Sequence, residues 1–143
     1  MKNTLSPTAV FSIPVRIYYE DTDAGGVVYY ANYLKFFERC RTEWVRSLGC
    51  DQAALLRDEG IVFVVRNVSA DYLQAGRLDD LLAVTLAVEK LGHTHIVLSQ
   101  SVCREGTPLV TATVRIVCVR QTEQGLKTAP IPHDLRQKLE PLP

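Results

Sequence analysis

The first clear pattern is an alternation of apolar and polar residues from Phe11 to Tyr19. A period of two predicts a half-buried strand, and Pro14 within it indicates an edge strand or a strand start, because proline cannot donate to a ladder. The segment from Asp21 to Gly26 then interrupts the alternation with turn-forming residues. We therefore expect one strand followed by a tight turn.

After this turn the apolar spacing becomes that of a helix. Apolar residues recur at intervals of three and four positions: Tyr33, Phe36, Phe37, Cys40, Trp44, Val45 and Leu48. Charged residues fill most of the opposite face, which predicts an amphipathic helix of about 17 residues and roughly 25 Å. Asn32 is the predicted N-cap of this helix, and Gly49 is its predicted C′ residue.

Four β-like runs follow the helix, over Ile61–Leu73, Leu81–Glu89, Thr94–Cys103 and Leu109–Gln121. Short glycine-containing connections separate them, which predicts antiparallel neighbours in a meander. The order of one strand, a long helix and four strands lacks the alternation that marks a parallel sheet. It predicts an α+β fold in which a five-stranded antiparallel sheet wraps around the helix. A short C-terminal helix is predicted for residues 132–139, with Pro132 in its first turn.

Length and charge restrict the class of protein. With 143 residues we expect a single domain over 1–143, with a core at about 11–121 and a C-terminal tail at 122–143. Lys plus Arg equal Asp plus Glu at 16 each, which gives no support for a nucleic-acid partner. Residues 1–4 start no apolar secretory signal, and no run approaches the roughly 20 apolar residues of a membrane helix. We expect a soluble cytoplasmic protein.

The cysteines, serines and histidines show none of the spacings that mark a metal site or a catalytic site. Cys40, Cys50, Cys103 and Cys118 lack metal-site and redox-motif spacing, so we expect reduced, mostly buried thiols and no metal. No Ser or Cys lies in a Gly-x-Ser-x-Gly elbow, which excludes thioester cleavage by the nucleophile of an α/β-hydrolase. The three histidines, His93, His95 and His133, lie outside the acidic turn, and we expect no direct catalytic role for them.

The segment from Glu20 to Gly26 is where the pattern suggests chemistry. Acidic residues there meet a Gly-Gly turn just before a helix. A helix N-terminus presents unpaired N–H groups that can hold an oxyanion, and a nearby carboxylate can act as base or nucleophile, which together suit acyl transfer. From spacing alone, two alternatives stay open: acids that only cap or solvate a loop, and a calcium site that lacks EF-hand spacing.

The same segment also carries a family resemblance. The run from Val15 to Tyr33, VRIYYEDTDAGGVVYYANY, resembles the signature of the Tol-Pal-associated acyl-CoA thioesterase family, within the 4-hydroxybenzoyl-CoA-thioesterase-like hotdog proteins. Further matches cover nearly the whole chain: FFER at 36–39, RTE at 41–43, FVVR at 63–66, AGRLDD at 75–80 and VCV at 117–119. The resemblance implies a hotdog fold, dimers joined edge to edge and often paired into homotetramers, and hydrolysis of acyl-CoA to free acid and CoA without a cofactor.

The resemblance also implies roles for individual residues. Asp23, the last acid of the Asp-x-Asp pattern, falls on the position of the nucleophile or general base, and the backbone N–H of Tyr30 falls on that of the oxyanion donor. Asp21, Gly26 and Tyr29 are expected to support them. Tyr30 stands where Tol-Pal relatives commonly carry His, and a backbone donor survives this exchange. The hydroxybenzoyl-CoA branch tolerates Tyr at the matching place, which favours the Asp-centred mechanism.

The sequence marks the binding of the CoA ester less clearly. Phe63, Val65 and Tyr29 are expected to line the acyl channel, with ordinary core positions as the alternative. Arg66 is a candidate phosphate contact, with an ordinary surface charge as the alternative. Further phosphate candidates at predicted strand ends are Arg77, Lys90 and Arg104. An acyl-carrier protein is an alternative acyl donor. Two other functions stay open on the same fold: a dehydratase or hydratase, and a non-catalytic acyl-CoA-binding or envelope-associated interaction protein.

Overall fold

The computed structural model describes residues 10–140, so the expectation about a secretory signal at residues 1–4 lies outside the described part. The helices and strands in chain order are β1 (Phe11–Arg16), α1 (Asn32–Ser47), α2 (Gln52–Glu59), β2 (Ile61–Tyr72), β3 (Leu81–Leu91), β4 (His95–Arg104), β5 (Thr107–Thr122), β6 (Gly125–Thr128) and α3 (His133–Leu139). A short 3-10 turn over Tyr19–Asp21 lies between β1 and α1.

The strands form one antiparallel sheet. Five of them follow the order β1-β3-β4-β5-β2, and the short β6 pairs with the end of β5. The predicted α+β class, with a five-stranded antiparallel sheet and one long helix, is confirmed. β1 is an edge strand, as Pro14 indicated, and β2 forms the opposite edge.

The prediction that β2 and β3 are neighbours is wrong. β2 pairs with β5, with Tyr72 opposite Val110, whereas β3 lies between β1 and β4. Residues 73–80 therefore connect β2, at one edge of the sheet, to β3, which lies next to the opposite edge strand. They pass the start of α1, where the Gly76 N–H donates to the Tyr33 hydroxyl at 2.9 Å. In the sequence, this short glycine-containing crossover is indistinguishable from a hairpin loop.

Helix α1 packs against β1, β3 and β4. Its predicted apolar stripe is buried: Tyr33, Phe36, Phe37, Cys40, Trp44 and Val45. Residues beyond 121 also contribute to the core through Ala129, Ile131 and Leu135. None of the helices in residues 10–140 is long and apolar enough to cross a membrane.

Of the two predicted ends of α1, the C-terminal one is confirmed and the N-terminal one is wrong. Gly49 is the C′ residue, with a left-handed φ of 81° that favours glycine. Asn32 is not the N-cap: Ala31 holds that place without a side-chain hydrogen bond, and Asn32 is the first helical residue. The side-chain Nδ2 of Asn32 donates instead to the Asp21 carbonyl at 2.9 Å, which ties the helix start to the acidic turn.

Two short elements were not predicted, α2 and β6. Helix α2 has recognisable ends, since the Asp51 carboxylate accepts from the Ala54 N–H at 3.1 Å and Gly60 takes a left-handed φ of 69°. The predicted C-terminal helix is present as α3, with Pro132 just before its first residue. The cysteines are free thiols, two of them buried and two partly exposed.

Candidate active site

Residues 21–29 form a small hairpin just before α1, which we call the site hairpin. The Tyr29 N–H donates to the Asp21 carbonyl and the Asp23 N–H donates to the Val27 carbonyl, both at 2.9 Å. Gly26 closes the turn with a φ of 80°, a conformation that a residue with a Cβ rarely adopts. Asp23 therefore lies where the hairpin turns.

The Asp23 side chain is exposed at this turn. Its Oδ1 accepts from the Gly25 N–H at 2.9 Å, and a Cβ at position 25 would lie only 3.3 Å from that oxygen. Within residues 10–140, Oδ2 of Asp23 has no hydrogen-bond donor. One carboxylate oxygen thus orients the side chain and the other is available for chemistry.

Asp21 has a different environment. Its Oδ2 accepts from the Tyr18 N–H at 2.8 Å, and its carbonyl accepts from both the Tyr29 N–H and Asn32 Nδ2. Asp21 thus joins the turn before the site hairpin to the start of α1. These contacts fit the supporting role predicted for it.

The start of α1 leaves two amides unused. The N–H groups of Asn32, Tyr33 and Leu34 donate to carbonyls three residues earlier, at 2.9, 3.3 and 3.2 Å. In the described part of the chain, the N–H groups of Tyr30 and Ala31 meet no acceptor. They lie at the positive end of the helix dipole, so together they can bind a developing negative charge.

Half-exposed tyrosine rings lie beside these amides. The Tyr29 and Tyr72 rings lie 5.1 and 5.9 Å from that of Tyr30, between centroids, and all three side chains are about half exposed. Tyr72 was missed by the sequence analysis, because a bulge between Val65 and Asn67 shifts the alternation of β2. The three rings offer an apolar surface beside the Tyr30 amide.

Phe63 and Val65 lie elsewhere along α1. They line a cavity of about 140 Å³, which we call the α1–β2 cavity; its other lining residues are Glu38, Arg41, Thr42, Val45, Gln52 and Ile116. Arg41 follows Tyr30 by eleven residues, which is about 16 Å along a helix. A single subunit thus leaves the predicted acyl-channel residues well separated from Asp23.

Four of the eight residues that line the α1–β2 cavity are polar or charged: Glu38, Arg41, Thr42 and Gln52. Nη1 of Arg41 donates to Oε1 of Gln100 at 3.0 Å, and the buried Gln100 donates through Nε2 to the Phe37 carbonyl at 3.2 Å. Burial lowers the pKa of Arg41.

Arg104, one of the predicted phosphate candidates, is engaged within the chain through one of its guanidinium nitrogens. Its Nη1 donates to Oδ2 of Asp80 at 2.8 Å and to the Ala75 carbonyl at 3.3 Å. Burial raises the pKa of Asp80, but hydrogen bonds from Arg104 and the Arg77 amide outweigh it, so the pKa is lowered. Arg66 and Arg77 are exposed, and Arg77 bridges Val27 of the site hairpin.

The histidines lie far from the site hairpin. His95 and Arg104 are the first and last residues of β4, about 30 Å apart in an extended strand, and Arg104 is the one near the site. The His93 carbonyl accepts from Ile131 near the start of α3. A dehydratase needs a histidine facing an acid, and within residues 10–140 Asp23 has no such neighbour.

Known proteins resemble this chain in sequence and in fold. Residues 25–111 match the thioesterase superfamily. The acyl-CoA thioesterase YbgC of Haemophilus influenzae is 50% identical over 109 residues, which cover 76% of this chain and 80% of that protein. A probable thioesterase from Bartonella henselae is 33% identical with a TM-score of 0.80, covering 87% of this chain and 100% of that one.

A further solved structure bears on the fold alone. The 4-hydroxybenzoyl CoA thioesterase from a Pseudomonas species is 19% identical, with a TM-score of 0.85 over 90% of this chain and 98% of that one. The predicted hotdog fold is confirmed by this likeness.

Proposed function

The chain belongs to the thioesterase superfamily and hydrolyses acyl-CoA thioesters, and on this premise we propose that Asp23 and the Tyr30 N–H carry out the reaction. The observation that carries the proposal is a carboxylate with a free oxygen in the site hairpin and two unused amides at the start of α1. Donors already in place where charge develops stabilise an oxyanion without reorganisation. Gly26 and Tyr29 support the two groups through the turn and the aromatic surface.

Two routes lead from this arrangement to the products. In the first, Asp23 attacks the thioester carbonyl, the C–S bond breaks, CoA leaves as a thiolate, and water hydrolyses the resulting anhydride. In the second, Asp23 takes a proton from water as the water attacks the carbonyl; the tetrahedral intermediate then collapses, the C–S bond breaks, and the proton passes from Asp23 to the departing CoA thiolate. Both routes pass through an oxyanion that the Tyr30 amide stabilises, and both yield the free acid and CoA.

A second copy of the chain is part of this proposal. β2 is a 12-residue edge strand, and two of its apolar side chains, Val65 and Val68, are 46% and 39% exposed. A long exposed apolar edge is a template for pairing with another strand. We therefore expect a homodimer in which two β2 strands pair edge to edge.

Two-fold symmetry gives this dimer a consequence for the site. An isologous pair of β2 strands is antiparallel, so the Phe63 end of one strand lies beside the Tyr72 end of the other. Tyr72 contacts Tyr30, so Phe63 and Val65 reach the Asp23 site from the partner subunit. The α1–β2 cavity is close to the 150 Å³ of an engineered cavity that binds benzene, so it fits a small acyl group.

Further parts of the proposal concern phosphate binding, assembly and location. Arg66 and Arg77 are the exposed candidates for the CoA phosphates. Assembly of dimers into homotetramers, delivery of substrate by an acyl-carrier protein, association with the Tol-Pal system, a cytoplasmic location and the single-domain assignment over 1–143 are predictions.

The catalytic assignment is tested by two substitutions of the same chemistry. Asp23→Asn removes the reactive carboxylate oxygen, so kcat should fall by about 10²-fold or more. Asp21→Asn is the matched control and should change kcat much less, because an amide oxygen can still accept from the Tyr18 N–H. Thiol release from a panel of acyl-CoAs measures both. An Asp23→Asn enzyme with the parental rate would contradict the assignment.

A further inference from the structure

The chain from Ile17 to Val28, which includes most of the site hairpin, is fixed at both ends to one short segment, residues 75–80 between β2 and β3. At the first end, the Ile17 N–H donates to the Asp80 carbonyl at 2.9 Å. At the other end, the Val28 N–H donates to the Gly76 carbonyl at 2.8 Å. Residues 75–80, which we call the base segment, therefore set where the site hairpin begins and where it ends.

Two side chains hold the base segment in shape. Oδ2 of Asp80 accepts from the Arg77 N–H at 2.9 Å and from Nη1 of Arg104 at 2.8 Å. The same Nη1 reaches the Ala75 carbonyl at 3.3 Å. Arg104, at the end of β4, thus contacts both the first and the last residue of the base segment. The side chains of Asp80 and Arg104 are only 21% and 32% exposed, so solvent screens their interaction weakly.

The base segment has little room to move without moving the site. A Cβ on Gly76 would lie 3.1 Å from Cγ2 of Val28 and 3.3 Å from the Tyr33 hydroxyl. The Gly76 N–H also donates to that hydroxyl at 2.9 Å. Val28 and Tyr33 stand two residues before and three residues after Tyr30. A shift at Gly76 is therefore transmitted to both sides of the proposed oxyanion donor.

We infer that Asp80 and Arg104 are positioning residues for thioester hydrolysis. Neither touches the acyl group in this role; they fix the base segment, which in turn fixes the distance between the Asp23 carboxylate and the Tyr30 amide. The kinetic part of this inference rests on the proposed function. Misplacement of a catalytic group by about 1 Å can cost on the order of 10²-fold in rate, so loss of the pair should act on kcat.

Asp80→Asn is the first test, because it keeps the side-chain volume and removes the charge that attracts Arg104. We expect kcat to fall by about tenfold with KM changed less than about twofold. Hydrogen exchange of amides 23–30 should become faster. Arg104→Gln should have the same effects, and the double variant should be no slower than the slower single variant, since the two side chains form one unit.

Asp58→Asn provides the matched control, because it breaks an exposed ion pair with Arg57 and should change neither kcat nor the exchange of amides 23–30. Asp80→Glu should recover part of the lost kcat, since it restores the charge. If the folded Asp80→Asn enzyme keeps the wild-type kcat and exchange, or loses only thermal stability, the inference is overturned. If Asp80→Asn does not fold, Arg104→Gln decides by the same measurements.

The inference and the proposed function can fail separately. Full activity of Asp23→Asn, together with faster exchange of amides 23–30 in Asp80→Asn, would remove the catalytic assignment and leave the positioning role of Asp80. An inactive Asp23→Asn enzyme, together with an unaffected Asp80→Asn enzyme, would keep the catalytic assignment of Asp23 and remove the positioning role of Asp80.

Discussion

The two ends of helix α1 are built in different ways. At its N-terminal end, hydrogen bonds within one chain fix the backbone on every side of the reacting groups, through Asp21, the Gly76 carbonyl and the Asp80–Arg104 pair. Along its second half, α1 faces the α1–β2 cavity, which is bordered by the unpaired edge of β2. The N-terminal end is held by hydrogen bonds within a single subunit, and the second half presents surface that a second subunit can cover.

The contrast follows from the kinds of interaction involved. Hydrogen bonds are directional, so a short chain segment with enough of them holds a carboxylate and an amide in place without a partner. Apolar surface is non-directional and gains free energy only when it is covered. We therefore expect one chain to supply the proposed reacting groups, Asp23 and the Tyr30 amide, and two chains to form the acyl pocket.

The largest effect should come from breaking the pairing of β2. Val68 lies near the middle of β2, so in an isologous pair it lies close to its own copy. Val68→Asp would place like charges together at the interface. We expect a 16.0 kDa monomer in sedimentation and a loss of activity greater than about 10²-fold, since a misplaced acyl group loses the benefit of orientation.

Leu126→Asp is the control for this substitution, because Leu126 is 54% exposed on β6, away from the β2 edge. It should leave the assembly and the rate unchanged. A fully active monomeric Val68→Asp enzyme would mean that the N-terminal end of α1 needs no partner at all.

A smaller effect is expected from a substitution that crowds the N-terminal end of α1. Gly76→Ala places a methyl group against Val28 and Tyr33, and overpacking of this kind costs about 1–3 kcal/mol. Because the strain reaches the site hairpin, kcat should fall together with Tm. In Gly125→Ala the added Cβ meets open space and only the left-handed φ of 102° is strained, so its Tm should fall while kcat is retained. Equal effects on kcat in the two variants would show that Gly76 does not act on the reaction through the site hairpin.

The smallest effect is expected at the Tyr30 side chain. Tyr30→Phe keeps the backbone N–H and the ring contacts with Tyr29 and Tyr72, so activity should stay within about threefold of wild type. Steady-state hydrolysis of one good acyl-CoA substrate is sufficient to measure this. A loss of several hundred-fold in a folded variant would show that the phenol itself takes part in the reaction.

The sequence predicted the elements whose pattern is local. The stripe of α1 and the alternation of β1 reflect one buried face each, and both are present, although β1 ends at Arg16 and not at Tyr19. The pairing of β2 with β5 joins residues far apart in the chain, such as Ala70 and Ala112 at a separation of 42 positions, and no local pattern specifies it. Helix α2 was missed because its apolar spacing is weak, although Asp51 and Gly60 mark its ends.

The site was likewise predicted where its residues are close in sequence and missed where they are brought together from distant parts of the chain. Motif and turn chemistry drew attention to Asp23 and Tyr30, which are close together in the chain. The positioning role inferred for Asp80 and Arg104 depends on the crossover of residues 73–80, which only the three-dimensional arrangement brings against the site hairpin. The contact between Tyr72 and Tyr30 likewise appears only in three dimensions. Arg104 in particular looks like any strand-end cation in the sequence, and its role depends on a carboxylate 24 residues earlier.

The division of the site between two subunits can be tested directly with hybrid dimers. Val65→Trp should fill the α1–β2 cavity and inactivate acyl binding, while Asp23→Asn removes the carboxylate. A hybrid of one Asp23→Asn chain and one Val65→Trp chain, isolated through two different affinity tags, should recover about half the wild-type activity, because one of its two shared sites is intact. A hybrid of a wild-type chain with a chain carrying both substitutions should be inactive. The opposite pair of results, an inactive first hybrid and a half-active second one, would contradict the shared site and place Asp23 and the acyl pocket in the same subunit.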